Sequence, residues 1–343
     1  MSRLTLAPEW IRHERTIMFW PCRRTMWGDW FDEVRDESQR VASTIAAFEP
    51  LTMVAADDEG AADARRRLPA EVDIRVIPMD GSWSRDNGPI YVTDGQRIEA
   101  RHLVFNSYGE RHAKRDRDAR AGATLARQLG HHVEPIDVVM EGGAIATNGR
   151  DILVATEHCV LNPNRNWHLD KNTVTERLLA GFGLERMVWL PGGPLFDRGP
   201  TNSDGHTDLI VQFVDEHRAL LMAPFGPDDE SADIHRTNKA ILEAEGIEVI
   251  DVPYVATIHH AEQTVIGSYL NFYLCNGAVL VPVPDEDRDL DAEVVALIAG
   301  AFPEREAIPL RMRAHPIHGG AIHCITQQVP IVGAASADQE RAR

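Results

Sequence analysis

Gly142-Gly-Ala-Ile-Ala-Thr-Asn-Gly-Arg-Asp-Ile-Leu-Val154 contains the pattern on which the fold of this chain is built. Two glycines open the stretch, a short apolar run follows, and Asn148-Gly149 precedes a second apolar run. An Asn-Gly pair between two apolar runs is a strong local signal for a β-hairpin, because both turn residues must adopt a positive φ. The stretch therefore predicts a hairpin whose mouth is formed by glycines.

Four further stretches repeat this pattern, each with turn residues or glycines ahead of a strand, a short turn and a returning strand. The five openings are 54, 63, 63 and 51 residues apart and lie at Gly88, Gly142, Gly205, Ser268 and Gly319. Self-similarity along a chain indicates a repeated supersecondary unit. We therefore expect the same unit to occur five times.

A helical pattern and one more strand follow the hairpins. Apolar residues keep helical spacing over residues 30–48, 174–182 and 290–297. Single apolar strands are predicted at residues 51–55, 72–77, 187–190 and 248–252. The unit is thus a hairpin, a helix and a strand.

The fifth hairpin has no returning strand at the C-terminus, whereas Thr16-Ile-Met-Phe-Trp-Pro is an N-terminal strand without a partner of its own. We expect the two to pair and to close a ring of five modules. This is an α/β fold with pseudo-fivefold symmetry and a central pocket. Nothing resembles a linker, so residues 1–332 are expected to form a single domain. The small, polar residues 333–343 are expected to be a disordered tail.

Composition limits the possible partners and the compartment. The net charge of −18 argues against nucleic acid, which requires a basic surface. No apolar run is long enough to span a membrane, and the N-terminus lacks the apolar core of a secretory signal. The four cysteines are scattered, which predicts neither a disulfide framework nor a thiolate zinc site. These features predict a cytoplasmic protein that binds neither nucleic acid nor membranes.

Ionisable residues lie at the mouths of several predicted hairpins, and Gly319-Gly320 precedes a lone cysteine beside His323. Each such residue alone has an ordinary structural explanation, such as a turn carboxylate or a buried free cysteine. In a ring of similar modules, however, equivalent positions face one another across the axis. We therefore expect one shared site containing Asp86, Glu141, His206, Asp208 and Cys324.

This set combines a thiol, an imidazole and three carboxylates. A thiol needs help to become a nucleophilic thiolate, and His206 can act as base and later as acid. One carboxylate can orient the imidazole, but acyl transfer does not require the other two. Two carboxylates suit a guanidinium, whose N–H groups pair with them in a bidentate manner. The residues therefore favour a small cationic guanidino substrate, which an acidic surface would attract.

The motifs that carry these residues resemble those of agmatine deiminases, which belong to the bacterial-type peptidyl-arginine deiminases. The resemblance runs from about residue 20 to residue 330 and rests on Trp83-Ser-Arg-Asp-Asn-Gly-Pro, Glu141-Gly-Gly, Thr156-Glu-His-Cys-Val-Leu-Asn-Pro-Asn-Arg-Asn, Asp204-Gly-His-Thr-Asp, Ser268-Tyr-Leu-Asn-Phe-Tyr and Ile322-His-Cys-Ile-Thr-Gln-Gln. It implies the pentein fold, a five-bladed α/β propeller. It also implies hydrolysis of the agmatine guanidino group to a ureido group and ammonia, a step of polyamine synthesis, without metal or organic cofactor.

The resemblance further implies a role for each site residue. Cys324 would be the nucleophile of a covalent amidino intermediate, and His206 the general acid and base. Glu141 would steady His206 or the substrate, while Asp86 and Asp208 would hold the guanidinium. Additional substrate contacts are expected from Trp27, Trp83, Arg85 and Gly320. A homodimer is a further expectation.

Departures from the family pattern leave the far end of the substrate open. His318 stands where the family usually has glycine, and the loop before His206 also differs. Residues 20–30 and 191–201 are expected to border the pocket. Aromatic and acidic side chains in these segments suit a substrate ammonium: Trp27, Asp29, Trp30, Phe196 and Asp197. Basic side chains in the same segments suit a substrate carboxylate: Arg23, Arg24 and Arg198. Agmatine is favoured, with another guanidino compound, or free or peptidyl arginine, as the alternative.

Two other classes of protein stay open. One is a metalloenzyme with His206, Asp208, Glu141 and either His318 or His323 as ligands, although the compact His-x-x-x-His spacing is missing. The other is a catalytically silent propeller that only binds a ligand. A binding module needs no nucleophile, so the complete thiol, imidazole and carboxylate set speaks against it.

Overall fold

The structure is a computed structural model that describes residues 3–111, 116–198, 203–224, 230–253, 257–260 and 263–333. Its strands are β1 (Thr5–Leu6), β2 (His13–Phe19), β3 (Leu51–Ala55), β4 (Asp73–Val76), β5 (Ile90–Thr93), β6 (Ile98–Val104), β7 (Val133–Val139), β8 (Ile145–Thr147), β9 (Ile152–Thr156), β10 (Arg186–Leu190), β11 (Val211–Phe213), β12 (Arg218–Met222), β13 (Glu248–Val252), β14 (Thr257–His260), β15 (Gln263–Ile266), β16 (Tyr273–Cys275), β17 (Ala278–Val283), β18 (Glu306–Arg311) and β19 (Gln327–Pro330).

The helices lie between and outside these strands. They are α1 (Arg24–Trp27), α2 (Phe31–Ala46), α3 (Asp58–Arg67), α4 (Ser84–Asn87), α5 (Ser107–Glu110), α6 (Asp118–Gln128), α7 (Glu157–Val160), α8 (Pro163–Asn166), α9 (Lys171–Phe182), α10 (Ala232–Ala244), α11 (Arg288–Ala301) and α12 (Ala314–Ile317). Short 3-10 helices occupy Gly28–Trp30, Gly142–Ala144, Leu195–Arg198, Thr207–Leu209 and His323–Ile325. No helix in the described ranges combines the length and the apolar character needed to cross a membrane.

Five sheets share one arrangement, in which an antiparallel pair is followed, after a helix, by a parallel third strand. In one of them β5 pairs antiparallel with β6, and β6 pairs parallel with β7. The same order recurs in β8, β9 and β10, in β11, β12 and β13, in β16, β17 and β18, and in β19, β2 and β3. The predicted α/β class and the repeated hairpin, helix and strand unit are confirmed.

The two ends of the chain share a sheet. β19 pairs antiparallel with β2, so that Gln327 faces Ile17, and β2 pairs parallel with β3. The N-terminal strand therefore supplies the returning strand of the fifth hairpin, as predicted. This closed series of five modules is consistent with the five-bladed propeller implied by the resemblance.

The helix α9 illustrates why the module helices form and how they pack. The side chain of Asp170 accepts a hydrogen bond from the Thr173 N–H at the N-terminus, and Gly183 adopts a left-handed conformation at the other end. One face of the helix is buried, including Leu178 and Phe182. Burying a side chain of this size stabilises the fold by about 1.5–3 kcal/mol. A Leu178→Ala change would leave a cavity and cost about 2–5 kcal/mol.

The predicted strands at the module mouths are wrong in detail. Asp86 lies in α4, Asp208 in the 3-10 helix Thr207–Leu209, and Cys324 in the 3-10 helix His323–Ile325. The first strand of the fourth hairpin also starts only at Tyr273, not at Ser268. The mouths are rich in Asp, Asn and Gly, which favour turns over strands. A short helical turn therefore precedes the inner strand and carries the site residue.

Candidate active site

Three side chains from two modules meet around Gly143, which belongs to a third module. A Cβ atom at this position would lie 2.8 Å from Oδ1 of Asp86, 2.9 Å from Nδ1 of His206 and 3.0 Å from Oδ2 of Asp208. The Gly143 N–H also donates a hydrogen bond to Oδ1 of Asp86, at 3.1 Å. Any larger residue would separate the three groups, so glycine is required here by the close approach. The structure thus brings together residues that the sequence places in separate modules.

The Cys324 thiol lies beside this cluster and is buried. It donates to Oδ2 of Asp208 over 3.3 Å and accepts from the amide of Asn271 over 3.2 Å. Gly320 makes room for it, because a Cβ atom there would lie 2.9 Å from Sγ and 2.6 Å from the Trp83 ring. Burial raises the pKa of Cys324 well above its ordinary value, and the Asp208 and Asp86 carboxylates raise it further. The isolated protein therefore holds a thiol and not a thiolate.

The His206 imidazole lies between two carboxylates. Its Nε2 atom is 3.3 Å from Oε2 of Glu141, and its Nδ1 atom is 3.7 Å from Oδ1 of Asp86. Burial opposes protonation, but Asp86, Cys159 and Glu141 outweigh it and raise the pKa of His206 well above its ordinary value. His206 is therefore an imidazolium, which can donate a proton.

Arg165 holds Glu141 in its ionised form. Its guanidinium Nε lies 2.9 Å from Oε2 of Glu141, and its Nη1 lies 2.7 Å from Oδ2 of Asp204. Burial alone would raise the pKa of Glu141, but the charge of Arg165 and the contact with His206 lower it to about 2. Glu141 is thus a permanent anion in contact with the His206 imidazole. Of its two predicted roles, the geometry favours orienting His206 over binding the substrate.

Asp86 is held by a strained loop. The Tyr108 hydroxyl donates to Oδ2 of Asp86 over 2.9 Å, although Tyr108 has a positive φ of 61° and so have Ser107 (62°) and Glu110 (61°). Such conformations cost of order 1–3 kcal/mol per residue and are concentrated at functional sites. Burial, together with the charges of Asp208 and Glu141, raises the pKa of Asp86 to about 6 despite the opposing effect of His206.

Aromatic rings form the wall next to the thiol. Trp83 is in direct contact with the position of Gly320, and the Trp27 ring lies behind it at a centroid distance of 5.4 Å. Trp27 is buried and also packs 4.8 Å from the ring of His318. His318 is further held by a 2.9 Å hydrogen bond to the Ala314 carbonyl. Trp83 therefore borders the site directly, whereas Trp27 and His318 support it from behind.

Arg85 does not reach the two carboxylates that surround Gly143. Its Nη1 atom donates to Oε1 of Glu9 over 3.0 Å, and its Nε atom donates to the His323 carbonyl over 3.4 Å. The geometry therefore argues against the predicted substrate contact of Arg85. His323 in turn lies between Glu9 and Asp208.

The predicted rim of the pocket differs from the structure at Asp197. This side chain is buried and accepts hydrogen bonds from the Ser203 hydroxyl and the Gly205 N–H, both over 2.6 Å. It therefore anchors the loop that leads to His206 and is not available to a substrate ammonium. The side chains of Phe196 and Arg198 lie outside the described part of the structure.

The predicted metal ligands are not gathered at one point. Among the described residues, only Glu141, Cys159 and His206 bring three possible ligand atoms within 4.8 Å of one another. The Arg165 guanidinium is bound to Glu141 in that group and would repel a divalent cation. His318 packs against Trp27, and the imidazole of His323 lies between the carboxylates of Glu9 and Asp208.

Several residues of the site were not predicted as such. They are Glu9, Tyr108, Gly143, Cys159, Arg165 and Asn271. Arg165 and Cys159 belong to a motif that carries the family resemblance, and Asn271 occupies the fourth hairpin mouth with an amide in place of an ionisable group. For Glu9 and Tyr108 the sequence offers no comparable signal.

Comparison with known proteins identifies the family of this chain. Residues 5–330 match the family model of Porphyromonas-type peptidyl-arginine deiminases. The chain belongs to this family. An agmatine deiminase from Pseudomonas aeruginosa is 31% identical to this deiminase-family chain over 365 residues, covering 95% of each. One from Medicago truncatula is 30% identical over 366 residues, covering 95% of this chain and 96% of the relative.

A solved structure has the same fold. The agmatine deiminase of Enterococcus faecalis superposes with a TM-score of 0.87 over 95% of this chain and 96% of its own, at 23% identity. The fold of this Porphyromonas-type deiminase is therefore that of a known agmatine deiminase.

Proposed function

We propose that this protein is an agmatine deiminase, which hydrolyses the guanidino group of agmatine to give N-carbamoylputrescine and ammonia. The observation that carries the proposal is the convergence of Asp86, His206 and Asp208 on Gly143, beside the Cys324 thiol. Relatives of similar length that carry this name support the choice of substrate.

Asp86 and Asp208 bind the guanidinium in this proposal. Both carboxylates are almost completely buried, and both lie within 3.0 Å of the position that a Cβ atom would take at Gly143. Burial is the main cause that raises the pKa of Asp86, and repulsion from the Asp208 carboxylate raises it further. A planar guanidinium would supply both positive charge and the N–H donors that the carboxylates lack.

Substrate binding also activates the nucleophile. Apart from burial, the carboxylates of Asp208 and Asp86 are what hold the pKa of Cys324 high. A guanidinium between them adds a positive charge next to the sulfur, so the pKa of the thiol falls, its proton passes to solvent water, and a thiolate forms. The thiolate then adds to the guanidinium carbon and gives a neutral tetrahedral adduct.

His206 acts as acid first and as base second. The imidazolium protonates an amino group of the adduct, the C–N bond breaks, and ammonia leaves behind a cationic thiouronium on Cys324. The imidazole, now neutral and oriented by Glu141, takes a proton from water as the water adds to the carbon. Cleavage of the C–S bond, with transfer of the hydroxyl proton of the adduct to the sulfur, releases the neutral ureido product and restores the thiol.

The surroundings favour agmatine over free arginine, which carries an additional carboxylate. The two arginines at residues 23 and 24 have acidic partners already: Arg23 pairs with Asp80, and Arg24 with Asp32 at 2.9 Å. Neither is free to bind a substrate carboxylate without losing that partner. An unpaired carboxylate in the pocket would lower affinity.

The test is to measure ammonia release from agmatine, free arginine and other guanidino compounds after dialysis against EDTA. We expect kcat/KM for agmatine to exceed that for arginine by at least about a hundredfold, and full activity without added metal. Equal rates with arginine, or turnover of a larger guanidino compound only, would refute the substrate. Activity that returns only when a divalent metal is added would favour the metalloenzyme. The absence of turnover with every compound would favour the silent propeller.

We propose in addition that residues 1–332 form a single catalytic domain, because β19 and β2 join the two ends of the chain. The four cysteines are free, as is usual in the reducing cytoplasm, which we propose as the location. A homodimer stays a prediction that light scattering would test.

A further inference from the structure

A chain of side-chain contacts, partly buried at Glu9 and buried beyond it, connects the N-terminal segment to the thiol. The two carboxylate oxygens of Glu9 lie 2.9 and 3.0 Å from Nε2 of His323. The Nδ1 atom of His323 lies 2.9 Å from Oδ2 of Asp208, and that same oxygen is 3.3 Å from Sγ of Cys324. Glu9 thus reaches the thiol through two intervening side chains.

The two ring contacts of His323 define its protonation state. Both nitrogens face carboxylate oxygens, and a neutral imidazole has only one N–H to donate. His323 therefore satisfies both partners only as an imidazolium. Burial and the nearby Arg85 charge oppose this state, yet Glu9 and Asp208 outweigh them and raise the pKa of His323. Burial also opposes ionisation of Glu9, but Arg85 and His323 lower its pKa to about 2.

Glu9 itself lies away from the reacting atoms. It lines, together with Arg85, a cavity of about 40 Å³ whose walls do not include Cys324, His206 or Asp208. Other walls of this cavity come from strands that follow the site residues in sequence, and include Ile145 in β8, Gln212 in β11 and Gln327 in β19. The side-chain contacts that join Glu9 to the thiol therefore run through His323.

We propose that Glu9 is a positioning residue that keeps His323 charged and aligned on Asp208, and thereby makes the Cys324 thiol easier to convert to the nucleophile. This inference deepens the proposed function and rests on Cys324 as the nucleophile. It assigns to the N-terminal segment a part in the chemistry, although that segment carries none of the predicted catalytic residues.

The sign of the effect follows from the charges around His323 and Asp208. His323 faces Glu9, Arg85 and Asp208, while Asp208 also faces His206 near Gly143. Without the Glu9 charge, Arg85 and burial would favour a neutral His323. Asp208 would then face the thiol without its compensating cation, and Cys324 would ionise only at higher pH.

The test compares Glu9→Gln with wild type in two measurements as a function of pH. The first is alkylation of Cys324 by iodoacetamide, followed by peptide mass spectrometry. The second is kcat/KM for agmatine. We expect the alkylation midpoint, and the rise of kcat/KM with pH that follows ionisation of Cys324, to move to higher pH by at least about half a unit. The limb near pH 6 that belongs to Asp86 should stay in place. If Glu9 had a purely structural role, the alkylation rate and kcat/KM would instead fall by a constant factor at every pH, and neither profile would move along the pH axis. That result would overturn the proposal.

Two further variants serve as controls. Glu9→Asp keeps the charge and should restore the profile at least in part. Glu14→Gln changes a carboxylate of the same segment whose side chain is 37% exposed and pairs with Arg15, so its profile should match wild type. A shift in Glu14→Gln as large as in Glu9→Gln would refute a specific role of Glu9.

Two outcomes need a second measurement: unfolding of Glu9→Gln, and the absence of agmatine turnover. If Glu9→Gln unfolds below the assay temperature, His323→Asn provides the second test, because it can still donate to Asp208 but carries no charge. The same upward shift is expected, and an unchanged midpoint would overturn the proposal. Alkylation needs no substrate, so the two proposals can fail separately. A shifted midpoint in Glu9→Gln without any agmatine turnover by wild type would contradict only the proposed function. Agmatine turnover without a shifted midpoint would contradict only the role of Glu9.

Discussion

Replacement of Asp86 by asparagine tests the guanidinium site most directly. Asparagine has nearly the same shape, and its carbonyl oxygen can still accept the hydrogen bond from either Tyr108 or Gly143. The change therefore removes the charge and largely preserves the packing. Since Asp86 is 7% exposed, the loss is that of one partner of a buried ion pair with the substrate.

The expected loss follows from that burial. Removing one partner of a buried, hydrogen-bonded ion pair costs about 3–5 kcal/mol. At 1.4 kcal/mol for each factor of ten, kcat/KM for agmatine should fall by roughly a hundredfold to a few thousandfold. A surface control is Asp251→Asn, whose carboxylate pairs with Lys239 and is 41% exposed. It should retain wild-type activity, because exposed ion pairs contribute little.

The pH profile gives a second readout of the same variant. In the free enzyme the Asp86 carboxyl has its pKa raised to about 6, so it becomes protonated below this pH and loses the charge that binds the guanidinium. Wild-type kcat/KM should therefore decline as pH falls through about 6, and the limb due to Asp86 should be absent from Asp86→Asn. The assay is ammonia release from agmatine between pH 5 and 8. A loss below about tenfold, or an unchanged acid limb in the variant, would refute the reasoning.

Two other changes test the thiol and the space around it. Cys324→Ser should abolish turnover with an unchanged melting temperature, whereas Cys275→Ser, in β16, should retain most activity. Normal turnover by Cys324→Ser would exclude the covalent mechanism. Gly143→Ala would place a methyl group within 3.0 Å of Asp86, His206 and Asp208, so kcat/KM should fall at least about a hundredfold, and a circular dichroism melt should show whether the fold survives. A folded Gly143→Ala variant with wild-type kinetics would show that these groups need not converge.

The sequence by itself determined the modules and most of the reacting groups. Turn chemistry and apolar periodicity are local properties, so the hairpin around Asn148-Gly149 and the helix α9 could be predicted from short windows. Closure of the ring was also predictable, because one strand at each end lacked a partner. The family motifs identified Asp86, Glu141, His206, Asp208 and Cys324 as members of one site, although their roles stay a proposal.

Only the tertiary structure decided how these groups are supported and charged. The contacts of Glu9 with His323, of Arg165 with Glu141 and of Tyr108 with Asp86 join residues from separate elements. Such contacts depend on which way a side chain points and on how far water is excluded, and neither property repeats along the sequence. For the same reason the pattern did not reveal that Arg85 points to Glu9. Burial and neighbouring charge set each pKa in the site, and both exist only once the modules have closed around the axis.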